Sequence, residues 1–176
     1  MVVVVTYGMP NPDLVAALND LRSTKPGDGA IDWPVLPDWH ELSAAVSGHF
    51  GDSVDAHPVA RWARALAEVQ RAHRIAPDLP DYPFTRFAFV SEIDRWVLET
   101  APCPAGVSES PGRTVEQIAL AHLDVLAVVR AGSSEKAVRV AFEALTEHAV
   151  KWTGLVAEVV GGRPCARGGA LDRGRQ

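Results

Sequence analysis

Seven polar side chains in this sequence stand on or beside helical apolar stripes: Gln70, His73, Arg86, Asp94, Glu116, His122 and His148. A titratable or amide group in such a place either satisfies a buried partner or takes part in chemistry. Between Phe84 and Val97, at about 100° per residue, Val90, Ile93 and Val97 share one side with Phe87 close by. Arg86 and Asp94 lie about 40° to either side of Val90 and flank the stripe instead of facing water. Eight residues of helix span about 12 Å. That excludes a local pair, so each is expected to meet a partner on another helix. The spacing favours boundary salt bridges that fix helix packing. The competing reading is an inward Arg and Asp lining a small polar site.

The other five residues divide the same way. His122 falls inside the stripe Val115, Ile118, Ala119, Leu126 and Val129, about 20° from Val115, and is expected to be a satisfied core histidine. Glu116 is at the shoulder of that stripe, while Gln117 and Asp124 point outward. Gln70 and His73 continue the stripe of Val59, Trp62, Ala63, Leu66 and Val69. Burying them without partners would cost about 1–3 kcal/mol each, so that helix end is expected to emerge into solvent. His148 lies about 60° from Leu145, at the edge of the last helix's buried face.

If these groups do chemistry, the class is small-molecule or metal-assisted hydrolysis inside a helical bundle, where inward carboxylates and histidines on facing helices build sites. Arg86, Asp94, Glu116 and His122 are then the catalytic candidates, and Gln70, His73 and His148 the ligand-binding ones. No complete constellation supports that class. There is no Glu-x-x-His repeat, no paired Glu-x-x-Glu helices, and no local motif for a serine or cysteine nucleophile. His40 and His49 are nine residues apart, about 180° around one helix, and cannot share a metal. Cys103 and Cys165 have no ligand-like neighbour and are too few for a disulfide framework. Neither a metal nor a cofactor is expected.

Elements must position these residues, and the composition bounds them. The chain has 176 residues, 47% hydrophobic and 22% charged, with a formal net charge of −5. That is enough for one domain burying roughly 70% of its unfolded surface. An acidic balance lacks the basic footprint of a nucleic-acid binder. No run approaches a membrane span, and Met1 is followed by Val2 to Val5 without a charged leader region. A soluble, cytoplasmic chain with no nucleic-acid or membrane partner is expected.

The four valines suit an extended arm packed on the rest. Asn11-Pro12-Asp13 starts a short helix carrying Leu14, Ala17, Leu18 and Leu21. A Pro/Gly-rich loop follows from Ser23 to Pro37, with Trp33 and Trp39 placed to pin it. Asp38 caps a second short helix in capping-box register with Glu41. Asp55-Ala56-His57-Pro58 opens a third helix. Pro77, Pro80 and Pro83 break the chain before a helix over Tyr82 to Thr100. A fifth spans about Gly112 to Ala131, with Ser110 or Glu109 as cap and an N-terminus able to hold an anion. After the Gly132-Ser133 turn a sixth runs to about Val160. Its stripe is Val138, Ala141, Phe142, Leu145, Ala149, Trp152, Val156 and Val159.

The predicted architecture is all-α: a mostly antiparallel bundle of four long helices with two short N-terminal helices packed across it. Residues 1–37 form the arm, first helix and loop; 38–162 the bundle; 163–176 a disordered tail.

Three segments carry a family likeness: Ile93-Asp94-Arg95-Trp96-Val97, then Ser108 through Ile118, then the last helix ending in Gly162-Arg163-Pro164. Together with His57-Pro58 they resemble a bacterial, actinobacterial-type family of small helical proteins described only as a domain of unknown function (DUF4254-like). The likeness covers roughly residues 55–165. It implies the helical fold and no activity. Where that family tends to carry Asp-Arg after the glycine turn this chain has Glu116-Gln117, and where the earlier helix tends to carry His it has Gln70. If those family residues form an active site, this chain has softened it. Five tryptophans, broad stripes and the lack of a catalytic constellation point first to a protein-interaction or self-association module, with a homo-oligomer or protein partner. The hydrolase is the alternative.

Overall fold

The computed structural model describes residues 34–51, 56–78, 81–101 and 109–161. All regular structure among them is helical: α1 (Trp39–Val46), α2 (Pro58–Ile75), α3 (Tyr82–Thr100), α4 (Pro111–Arg130) and α5 (Glu135–Gly161). The expected helix after Asn11, the valine arm and the 163–176 tail lie outside the described residues.

Capping chemistry sets the helix starts. Asp38 Oδ1 accepts from the Glu41 backbone nitrogen at 2.8 Å and opens α1. Ser110 Oγ accepts from Arg113 N at 3.0 Å and opens α4, whose first residue is Pro111. At α2 the cap is His57, whose Nδ1 accepts from Val59 N at 3.1 Å before Pro58. Pro83, expected to break the chain, sits instead inside the first turn of α3, where a missing N–H costs nothing because that N–H has no helical partner.

Pairs of contacts give the directions. His73 stacks on Tyr82 while Trp62 meets Trp96 edge-on at 6.0 Å, so α2 and α3 run antiparallel. Arg86 meets Glu116 while Asp94 meets Ser110, so α3 and α4 are antiparallel too. α2 and α4 therefore point the same way, and Arg74 of α2 reaches the Leu120 carbonyl and Asp124 of α4. α5 returns along α4 after a turn in which Gly132 takes φ +59°.

The core joins Val59, Trp62, Ala63 and Leu66 of α2, Phe89, Val90, Ile93, Trp96 and Val97 of α3, Val115, Ile118 and Ala119 of α4, and Trp152, Leu155 and Val159 of α5. The short strap before α1 lies in it as well: Leu36 and Pro37 are buried. Ring N–H donors pin three strap carbonyls. His57 Nε2 lies 2.7 Å from Pro34 O, Trp96 Nε1 donates to Val35 O at 2.9 Å, and Trp152 Nε1 donates to Pro37 O at 3.2 Å. The segment that the sequence groups with the N-terminal loop is thus integral to the helical core.

The stripes are not buried throughout. Phe87 is 65% exposed, Val129 52% and Phe142 49%. Phe87 lies about 60° from Val90, beyond the side that meets α2 and α4. Phe142 lies at the margin of the α5 stripe, about 80° from Trp152. The full burial of α5 is confined to Trp152, Leu155 and Val159, in its C-terminal half, while Leu145 is half-buried.

Candidate functional site

The expected partners of Arg86 and Asp94 are both on α4. Asp94 accepts from the Gly112 backbone nitrogen at 2.8 Å, and Ser110 Oγ lies 2.9 and 2.7 Å from its two oxygens. The anion-holding N-terminus of α4 is therefore occupied by a carboxylate of the chain itself. Gly112 makes this possible. A β-carbon there would overlap the Val90 carbonyl oxygen and lie 3.0 Å from Val90 Cα, so only glycine lets α4 start this close to α3. Asp94 is a positioning group for the α3–α4 junction.

Arg86 Nε lies 3.0 Å from Glu116 Oε1. The Glu116 side chain is 7% exposed and that of Arg86 38%, so the pair runs from the interior to the surface. Glu116 Oε1 receives no aligned hydrogen bond despite the short contact, which makes the interaction chiefly coulombic. Arg74 of α2 binds the Leu120 carbonyl. One turn back along these two like-directed helices are Gln70 and Glu116, which puts Gln70 at the level of the Arg86–Glu116 pair.

Gln70 is buried, at 1% exposure, and both its amide oxygen and nitrogen lack hydrogen-bond partners. The expectation that this helix end emerges into water holds for Ala72, Arg74 and Ile75, which are exposed, and is corrected for Gln70, one turn earlier, where α2 still packs against α3 and α4. His73, one turn further on, stacks on Tyr82 with ring planes 8° apart, and its Nδ1 is also without a partner. Gln70, His73 and Glu116 thus form a polar layer with four buried atoms that lack a hydrogen-bond partner, Glu116 Oε1 keeping only its ion pair with Arg86.

His122 is elsewhere. It is half-buried against the end of α1, with Nε2 3.4 Å from Ser47 Oγ. The Ser47 hydroxyl donates to the Ser43 carbonyl at 2.7 Å, so its proton points away from His122 and the two do not form a nucleophile–base pair. Burial chiefly, then the charges of Arg71 and His49, hold the His122 pKa below the usual histidine value. His148 is half-buried on α5, with an unpartnered Nδ1. Of the four catalytic candidates only Arg86 and Glu116 touch, and among the described residues no group of three or more His, Cys, Asp or Glu is placed to hold a metal ion.

Sequence reasoning missed Ser47, Arg71 and the role of His57. Ser47 and His122 are 75 positions apart and no periodicity links them. His57 is fully buried, with its pKa pushed down to about 4 by burial. A histidine directly before a helix-initiating proline was the available signal.

Comparison with family models, with curated proteins and with solved structures finds no match to this chain. No described helix is long and apolar enough to cross a membrane.

Proposed function

We propose that this chain is a helical self-association module whose α5 packs against α5 of a second copy. One observation carries the reading. Phe142, Thr146, Val150, Thr153, Ala157 and Val160 are all exposed among the described residues and recur at spacings of three and four. That spacing makes one uncharged stripe down a helix, the seam geometry of helix pairing. Val150 is 67% exposed and Val160 61%. Arg139, Glu143, Glu147 and Lys151 lie beside the stripe, and Lys151 pairs with Glu147 at 3.0 Å. The stripe therefore has a charged flank suited to setting register.

The same proposal includes an antiparallel helical bundle completed by a second short helix over residues 11–21, and kinship with the bacterial helical family that residues 93–118 resemble. Light scattering coupled to gel filtration tests the function. The wild-type chain is expected to run as a dimer, and Val150→Asp as a monomer of unchanged helical content. A wild-type monomer at all concentrations, or a dimer that survives Val150→Asp, overturns it.

A small-molecule site inside the helices is the second reading. It has one observation in its favour, the buried amide of Gln70 and Nδ1 of His73, which lack hydrogen-bond partners.

A further inference from the structure

Towards the turn that joins them, α4 and α5 leave a gap. No residue of α5 before Trp152 is fully buried. Between the two helices lies an open trough of about 530 Å³, within the size range of small-ligand sites. Its apolar wall is Ala121 and Val128 of α4 with Ala137, Val140, Ala141 and Ala144 of α5. Four of these six are alanines, and their small side chains keep the trough open. Because α5 returns along α4, Val128 and Ala137 are at the turn end, and Ala121 and Ala144 at the far end.

The polar groups of the trough are unevenly placed. Asp124 stands on the α4 wall, but Arg74 holds it at 2.6 Å, so that pair adds no net charge. Ser134 and Lys136 are at the turn end. Lys136 is exposed and has no ion-pair partner among the described residues. Ser134 Oγ accepts from Ala137 N at 3.4 Å, which leaves its O–H to donate. The trough therefore has a cation and a hydroxyl donor at one end and, apart from the neutral Asp124–Arg74 pair, hydrocarbon along the rest. From Lys136 to Ala144 that is about 12 Å of helix. No aromatic ring lines it, so the wall suits a flexible alkyl chain and offers nothing for a ring to stack on.

We propose that this trough binds a medium-chain fatty acid anion, with its carboxylate on Lys136 and Ser134 and its chain along Ala137, Ala141 and Ala144. Charge complementarity chooses the head group, since Lys136 is the one unneutralised charge on the wall and its N–H donors make charge-assisted bonds to a carboxylate. Burial of methylenes supplies most of the affinity. Ala144 and Val150 lie about 120° apart around α5. The site is therefore separate from the exposed α5 stripe, and it requires neither self-association nor the Gln70 layer.

Isothermal titration calorimetry of the full chain with hexanoate, octanoate and decanoate, each below its micelle concentration, tests this. Saturable binding of one molecule per chain is expected, with affinity rising about two- to fourfold for each added methylene. Decylammonium, the same chain with the opposite charge, should bind more weakly than decanoate. Lys136→Gln should weaken decanoate about fivefold and leave decanol unchanged. Ala144→Phe, at an exposed position, should fill the trough and abolish binding while circular dichroism shows its helix content retained. Val150→Asp should bind decanoate as wild type does, which separates this site from the α5 stripe. No saturable decanoate binding, a Lys136→Gln chain indistinguishable from wild type, undiminished binding by Ala144→Phe, or decylammonium binding as tightly as decanoate refutes the proposal.

Discussion

The carboxylate of Asp94 lies 2.8 Å from the backbone nitrogen of Gly112, so one helix supplies the negative charge that caps the next. Because that acceptor comes from α3, the cap is tertiary, and removing it should loosen the α3–α4 junction as well as the helix end. Asp94→Ala is expected to cost about 1–3 kcal/mol, the range for stranding partly buried donors. Ser110→Ala is expected to cost about 1 kcal/mol. Urea unfolding of both variants and of their double mutant measures this. The double should cost less than the sum, since the two share a network.

Two glycines should respond oppositely to alanine. At Gly112 the new methyl would overlap the Val90 carbonyl, and α3 and α4 must part, at about 3 kcal/mol or more. At Gly154, on the exposed side of α5, nothing lies within 4 Å. Alanine there should stabilise by about 0.5–1 kcal/mol through helix propensity alone. Thermal unfolding of the pair reads both signs in one experiment.

His57 should make stability depend on acid. Its folded pKa of about 4 lies below the ordinary 6.5. Between those values the unfolded chain binds a proton that the folded chain refuses. The stabilisation is complete above the unfolded value and is lost as pH falls towards 4, by about 3 kcal/mol over the full interval. Below 4 both states are protonated and this group contributes no further slope. Denaturant unfolding from pH 7 to pH 4 checks the curve, and His57→Gln should flatten it.

Gln70→Leu separates packing from ligand binding in the polar layer. Two unpaired amide atoms disappear while a side chain of similar size fills the same space. If the layer is empty in solution, Leu should raise stability by about 1–2 kcal/mol. If water or a small ligand satisfies the amide, Leu should lower it. A melting-temperature shift decides between them.

Helix spans were readable because four long periodic stripes are bounded by proline and glycine. Tyr82–Thr100 is bounded by Pro80 and Pro102, and the α3 span found is the span expected. The need of Arg86 and Asp94 for partners on another helix was also legible, since eight residues separate them. Which partners was not. Glu116 and Ser110 are chosen by how closely α4 approaches, and that approach is set by Gly112 against a backbone atom, not by any side-chain pattern. Gln70 misled because it sits near a helix end, where the stripe leaves open whether a neighbour covers it. Its neighbours across the core belong to helices that begin 12 and 41 positions further along. Ser47 and Arg71 carried no signal at all: each reads as a surface residue on its own helix, and only the fold joins them to His122.

The strap carbonyl of Pro37 waits for an indole 115 positions downstream. At a translation rate of about 5–20 residues per second, a nascent chain holds that acceptor open for roughly 6 to 23 seconds before its donor exists. Through that interval only the earlier donors, His57 and Trp96, are there to hold the strap, at the Pro34 and Val35 carbonyls. The final docking of the strap is therefore a late event in the life of every newly made molecule, and the interval before it is when a holdase would find most to grip.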